Sequence, residues 1–464
     1  MWQFVKSWDP QRAPELPDWN DIAGKNMVFQ LDGDLQFIHE RPAAKRTWSE
    51  HFRNIDDPHK EEGMCLVTGE YCKIARLHPA ISNVKDAHSS GAGIVTFNKD
   101  KTAFTSFGKI QNHNAPIGMD PAFAYTTALN FLLQPGSRQK IQIGDATTVF
   151  WTERESVVEG FFGLVLNPRD TSGEDAEIRA FLDSLREGKF PHQIDPAIKF
   201  FILGLSANGP RISVRFWHVS TVKDICEKLG QHFRDLAMVK SFDSDPDYPG
   251  IWRLIRETAN AKSQDGPPPL LGGAVIKAIL NGTPYPQSLL SAVLGRIRAE
   301  QSGKDKSGKP IANVSYTRAA IIKAVLTRKK RILNQDMEVP MALDKENDNI
   351  AYRLGRLFAV LEKAQKEAIP GANATIKDRF YSSASATPRR VFPQLLRLAQ
   401  HHISKAEHGR FRDKEMEEII GNIQEFPAHL GLDQQGMFAI GYYHQRQSFF
   451  AKRIENKDVD EKES

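Results

Sequence analysis

The chain is poor in cysteine, with three in 464 residues. Cys65, Cys72 and Cys226 cannot build a disulfide framework, and their odd number suits a reducing compartment. No second cysteine pair accompanies Cys65 and Cys72 to complete a zinc ligand set. No apolar run reaches about 18 residues, so no membrane-spanning helix is expected. The start, Met1-Trp2-Gln3-Phe4, lacks a basic region followed by an apolar stretch, and no secretory signal is visible. A cytoplasmic protein with no membrane partner is the expectation. Neither GxxxxGK[ST] nor GxGxxG occurs, which removes the phosphate-cradling loops. GxSxG is missing too. Asp145, His113 and a serine form a triad only on paper, because nothing in the sequence places them together. No carboxylate cluster suggests a two-metal nuclease. The expectation is a protein without catalytic residues, metal or cofactor.

What is present is charge, unevenly placed. The formal net charge is +5. Residues 271–454 hold 29 Lys/Arg against 17 Asp/Glu, a balance of +12, while residues 1–270 sum to −4 and the last ten to −3. The basic half also carries helical apolar periodicity, so it is read as a folded domain. Concentrated positive charge on a folded helical surface is the footprint of a polyanion partner, most often nucleic acid. A solvated mixed-charge surface is the competing reading.

Length calls for about two or three domains. The predicted fold class is α+β: a β-rich mixed domain over residues 1–240, a linker over 241–270, a basic helical bundle over 271–454 and a disordered tail over 455–464. Met27–Ile38 around Asp32-Gly33-Asp34 reads as a hairpin, as do Ile94–Phe107, Ile141–Trp151 and Phe200–His218. Within the last, Ile212, Val214 and Phe216 alternate with Arg211, Ser213 and Arg215, which predicts one wetted face. Pro121–Leu133 reads as a helix. The proline- and turn-rich stretches Asp243–Pro249 and Ser263–Pro269 bracket the linker. Beyond it, Leu354, Leu357, Phe358 and Leu361, then Met416, Ile419, Ile420 and Ile423, share helix faces, as expected of a bundle.

Three stretches carry binding chemistry. Lys109, Gln111, Asn112 and Asn114 sit on one polar loop; amides of this kind read base edges, or else satisfy the local backbone. Arg318, Lys323, Arg328, Lys329, Lys330 and Arg331 are read as a polar helix face opposite Ile322 and Leu326, suited to phosphate contact or to solubility. Residues 372–390 contribute Arg379, Arg389 and Arg390 among small hydroxyls, a pattern for strand binding or for helix capping. His401 and His402 lie near Arg397, Lys405, Arg410 and Arg412, which favours a basic helix face over a metal site.

A family resemblance accompanies this reading. Cys65-Leu66-Val67-Thr68-Gly69-Glu70, Ala75–Pro79, Ser89–Ala92, Phe97-Asn98, Asn114-Ala115-Pro116, Phe123–Asn130 and Gly144–Trp151 occur in order. Tyr352–Glu362, Asn373–Arg379 and Gly441–Arg446 follow. The chain resembles the large subunit of the type I-C CRISPR Cascade complex over nearly its whole length. Relative to that pattern, about a hundred residues, the length of a small domain, are expected to be missing before Phe4. The resemblance implies a non-enzymatic subunit that reads a protospacer-adjacent motif in target double-stranded DNA, promotes unwinding and supports the R-loop. It implies crRNA, the other backbone and crRNA-processing subunits and a recruited helicase–nuclease as partners. It also implies a small subunit resembling residues of the C-terminal half, made from an internal start at Met341 or at Met337. A nuclease and a purely structural scaffold are the alternative readings.

Overall fold

A computed structural model describes residues 2–25, 28–54, 61–98, 108–166, 176–190, 194–260, 266–300, 312–334, 339–372 and 374–460. The chain divides into two units, one of residues 1–78 with 95–124 and one of residues 79–94 with 125–464.

The first unit has little secondary structure. Helices α1 (Trp2–Ser7), α2 (Trp19–Ile22) and α3 (Pro42–Asn54) precede a hairpin of β1 (Glu62–Met64) and β2 (Tyr71–Lys73). The hairpin expected over Met27–Ile38 shrinks to one bridge, Gln30 to Phe37. Phe29, Leu31 and Phe37 are exposed and Leu35 is 99% exposed, so no apolar face is buried to hold the pair. Of the expected 94–107 pair, residues 99–107 lie outside the described residues, and 94–98 carry no strand. The β1–β2 pair itself is too short to leave a period-two signature in the sequence. It grips the segment after the polar loop: Leu66 N donates to Pro116 O and Ala75 N to Ile117 O, both at 2.9 Å.

The second unit contains an antiparallel sheet, in the order β3 (Lys140–Ile143), β4 (Ala146–Thr152), β5 (Lys199–Asn208), β6 (Arg211–Thr221). Both hairpins expected here are present. One sheet face buries Phe150, Phe200 and Ile202 against α5 (Val157–Leu166), α6 (Ala176–Arg186) and α7 (Val222–Leu236). The other packs Val149, Leu203 and Leu205 under Leu129, Leu132 and Leu133, from the end of the predicted helix, here α4 (Met119–Leu133). The expected alternation along β6 is interrupted. The register slips between Gly204 and Leu205, so Leu205 opposes Val214 while Gly204 opposes Phe216, and Arg215 is the extra residue. Val214 is exposed while Ile212 is buried. A Cβ on Gly204 would lie 2.3 Å from the Phe216 ring, so glycine makes room for that ring.

Residues 241–270, expected as a linker, include α8 (Ile251–Arg256), and Tyr248, Ile251, Leu254 and Ile255 are part of the core. The same core continues through α9 (Pro269–Asn281), α10 (Gln287–Ala299), α11 (Tyr316–Ile332), α12 (Ile350–Ala368), α13 (Ile376–Ala386), α14 (Pro388–Ile403), α15 (Gly409–Ile420) and α16 (Leu432–Asp460). A mixed α+β fold with a helical C-terminal part is therefore what forms. Helix α16 runs on through Glu455–Asp460, where a disordered tail was expected. At the centre, α12 and α16 touch backbone to backbone. A Cβ on Gly355 would stand 2.0 Å from Phe438 O, and one on Gly441 2.1 Å from Tyr352 O. No helix among the described residues is long and apolar enough to cross a membrane.

Candidate nucleic-acid interface

Helix α14 starts with Pro388 at its first position, where a missing N–H costs nothing and the fixed φ suits a helix. Val391, Phe392, Leu395 and Ala399 form its buried stripe, and Phe392 stacks on Phe426 at 5.4 Å. Arg390, Gln394, Arg397 and His401 recur at spacings of four, three and four, so they form one line on the opposite, exposed side. Arg389 and Pro393 flank that line, and together these side chains border a shallow open hollow. The helix sequence, PRRVFPQLLRLAQHHI, holds three arginines and no carboxylate. Its acidic neighbour is Glu425, 3.4 Å from Arg389, with both side chains more than half exposed. Such a pair is weak. Arg389 Nε also donates to Phe426 O at 3.1 Å, which fixes the arginine at the rim. Burial, then the charge of His401 and Lys405, lowers the His402 pKa below its ordinary value, so His402 is neutral at pH 7. The positive charge of the face thus comes from arginine, which suits planar, bidentate phosphate contacts.

The candidates on α11 lie elsewhere. Arg318, Lys323, Arg328 and Lys330 are at most 5% exposed. Arg318 bonds Glu300 and Asn313 O and pairs with Glu257 at 2.8 Å. Burial would lower its pKa, but Glu300 and Glu257 outweigh that and raise it. Lys323 Nζ donates to Asp235 O at 3.1 Å. Arg328 is 1% exposed; it bonds Asp235 at 2.8 Å and lies 4.2 Å above the Tyr285 ring. Arg331 reaches the same carboxylate from the exposed end at 2.7 Å, and Lys329 pairs with Asp433. Of the polar face read from the sequence, Arg318, Lys323, Arg328 and Lys330 are interior. Helix α11 is covered by α7, α8, α10 and α16, and Arg318, Arg328, Lys329 and Arg331 neutralise carboxylates those elements and their neighbours carry.

The polar loop is folded inward as well. Gln111, Asn112 and His113 are buried. Asn112 Nδ2 donates to Val95 O at 3.0 Å, Gln111 accepts from Arg76, and His113 Nδ1 meets Glu61 at 2.7 Å. Asn114 Nδ2 donates to Gln111 O at 2.9 Å. These amides satisfy the local backbone and neighbouring side chains, and Lys109 alone among the four candidates stays exposed. Of the third stretch, Arg379, Arg389 and Arg390 are exposed. Thr375 and Asp378 cap α13 reciprocally, as the capping alternative requires. Asp145 takes bonds from Ser206 and Arg215. Arg397 and His401, read from the sequence as part of a basic helix face, join the binding candidates here. Their signal is the spacing that continues from Arg390.

The family model for the CRISPR-associated protein Cas_Csd1 matches residues 1–450. The chain belongs to this family. It is a CRISPR-associated Cascade subunit, a component of a complex with crRNA and other Cas proteins. The match begins at residue 1 and gives no support to the expectation of a missing preceding segment. No curated protein matches the chain. Family membership makes an exposed arginine face on a helix without carboxylates a natural place to look for nucleic acid.

Proposed function

We propose that this Cas_Csd1-family chain is the non-catalytic large subunit of its crRNA-guided complex. In this reading it recognises the protospacer-adjacent motif in duplex DNA, promotes unwinding and supports the R-loop strands. The observation that carries the reading is the exposed Arg390–Arg397–His401 line on α14. Arg390 and Arg397 are seven residues apart, roughly 10 Å along a helix. Measured along the duplex axis, that matches the rise of about three phosphates of one B-DNA strand. Arg379 extends the exposed cations on the preceding helix, and Lys109 offers one on the polar loop. Gln111, Asn112 and Asn114 then act by shaping that loop, and the α11 cations by holding the bundle. A recruited helicase–nuclease supplies cleavage. A small subunit started at Met341 would contain α12 to α16 but not α11.

The test is binding of a motif-bearing duplex by the crRNA complex, assembled with and without this chain, over a salt series. Motif-dependent binding that requires the chain and weakens steeply with salt supports the proposal. Equal binding without the chain overturns it and favours a scaffold. Metal-dependent cleavage by the purified chain would favour a nuclease.

A further inference from the structure

Two thiols meet in the first unit. The β1–β2 register pairs Gly63 with Cys72 and Met64 with Tyr71. Cys65 follows Met64, so by the two-residue period it shares a face with Gly63 and lies diagonal to Cys72. The turn that joins them is closed by Cys65 N donating to Glu70 O and Gly69 N donating to Cys65 O, both at 2.9 Å. Gly69 supplies the left-handed φ of +71° there.

The two sulfurs converge on Gly118. A Cβ at Gly118 would lie 2.7 Å from Cys72 Sγ and 3.7 Å from Cys65 Sγ. The amides of Gly118 and Val67 donate to Cys65 Sγ at 3.2 and 3.4 Å. Amide donors aimed at sulfur favour the thiolate. Burial pushes the Cys65 thiol up, yet the bonds from Gly118, Thr68 and Val67 outweigh it and bring the pKa to about 7. Burial and the Cys65 charge push the Cys72 thiol up. One thiolate and one thiol therefore share a proton near neutral pH. Cys65 is buried and Cys72 is partly exposed, so reagents arrive at Cys72. Cys226, buried and pushed up to about 12, stays protonated.

We infer that Cys65 and Cys72 are a redox-active dithiol, closed to a disulfide by a two-electron electrophilic oxidant. With a diazene such as diamide, Cys72 passes its proton to Cys65 and its thiolate adds to one nitrogen, while the other nitrogen takes a proton. Cys65, deprotonated again, attacks Cys72 Sγ. The S–S bond forms, the S–N bond breaks, and the leaving nitrogen takes the second proton from water to give the hydrazine. Two thiols are oxidised and one diazene is reduced.

The experiment treats the full native chain with diamide, blocks free thiols with iodoacetamide under denaturant, and weighs peptides cleaved without reductant. The expected result is a linked Cys65–Cys72 species two hydrogens lighter, reversed by dithiothreitol, with Cys226 alkylated. In Cys65→Ser, Cys72 should be alkylated or carry an adduct, with no internal link. Without oxidant, the rate of native alkylation at this pair should rise through a midpoint near 7, against about 8.5 for a free cysteine. Full alkylation of both residues after diamide overturns the inference, as does a link from either one to Cys226. These readouts need no nucleic acid, so they stand or fall apart from the proposed function.

Discussion

Arg328 is an informative single residue, because it is a fully buried cation whose partner is known. Asp235 bridges it to Arg331 and is itself 1% exposed. Replacing Asp235 with Ala strands the Arg328 charge in the interior, and loss of about 3–5 kcal/mol is expected in urea unfolding. The pair also sets an acid response. Burial alone would raise the Asp235 pKa, but the bond from Arg331 and the charges of Arg328 and Arg331 win and lower it. A depressed folded value means the contribution is present above the ordinary carboxylate pKa of about 3.9 and is lost as pH falls through the lower folded value. In the polar loop the residue-level contrast is between Asn112 and Lys109. Asn112→Ala leaves Val95 O without its donor and should destabilise the first unit by about 1–3 kcal/mol. Lys109→Ala should leave its unfolding midpoint unchanged. Equal midpoints for the two variants would show that the buried amide is not structural.

At the scale of elements, α14 and the α12–α16 pair make opposite demands. Helix α14 keeps one face free, and the triple change Arg390→Ala, Arg397→Ala, His401→Ala should spare folding. If the face meets phosphates, the variant complex binds all DNA sequences more weakly, and its salt slope falls by about 0.9 for each phosphate no longer neutralised. An unchanged slope removes α14 from the interface. The same helix shows what periodicity reveals: its amphipathic pattern is sharp because only one side is buried. Helix α11 shows the limit. Its apolar stripe is readable, but its cations look like solvent-facing ones until Glu257, Glu300 and Asp235 arrive from other elements. The α12–α16 packing depends on two glycines. Gly355→Ala or Gly441→Ala forces the helix backbones apart, and a cost of about 1–3 kcal/mol or more is expected in thermal or urea unfolding. A neutral result would mean the helices pass at ordinary distance.

Across the whole molecule, acid should weaken the fold well above the carboxylate range. His232 and His444 are buried. Burial, helped by Arg328 for the first and Lys323 for the second, lowers each pKa to about 3. Their unfolded value is about 6.5, so each stabilises the fold fully above that pH. The unfolded chain binds those two protons first, and stability should fall by about 1.4 kcal/mol per pH unit per histidine between the two values. His232→Gln and His444→Gln together should flatten the pH dependence of the urea midpoint between pH 6.5 and 4. If the wild-type midpoint does not move in that window, the neutral buried state is wrong.

Local rules determined much of this protein. The hairpins around Gly144 and Gly209, the helices from α9 onward, the capping at Thr375 and the family motifs all rest on neighbours in sequence, where turn chemistry and periodicity act. Tertiary structure decided the rest. It placed Tyr248, Ile251, Leu254 and Ile255 in a core, drew the amides of the polar loop inward, and brought Cys65 and Cys72 together against Gly118. It also chose which arginines face solvent. A charge is recognised by its type in the sequence, but whether it is spent on an internal partner or left for a ligand depends on carboxylates as many as 104 residues away.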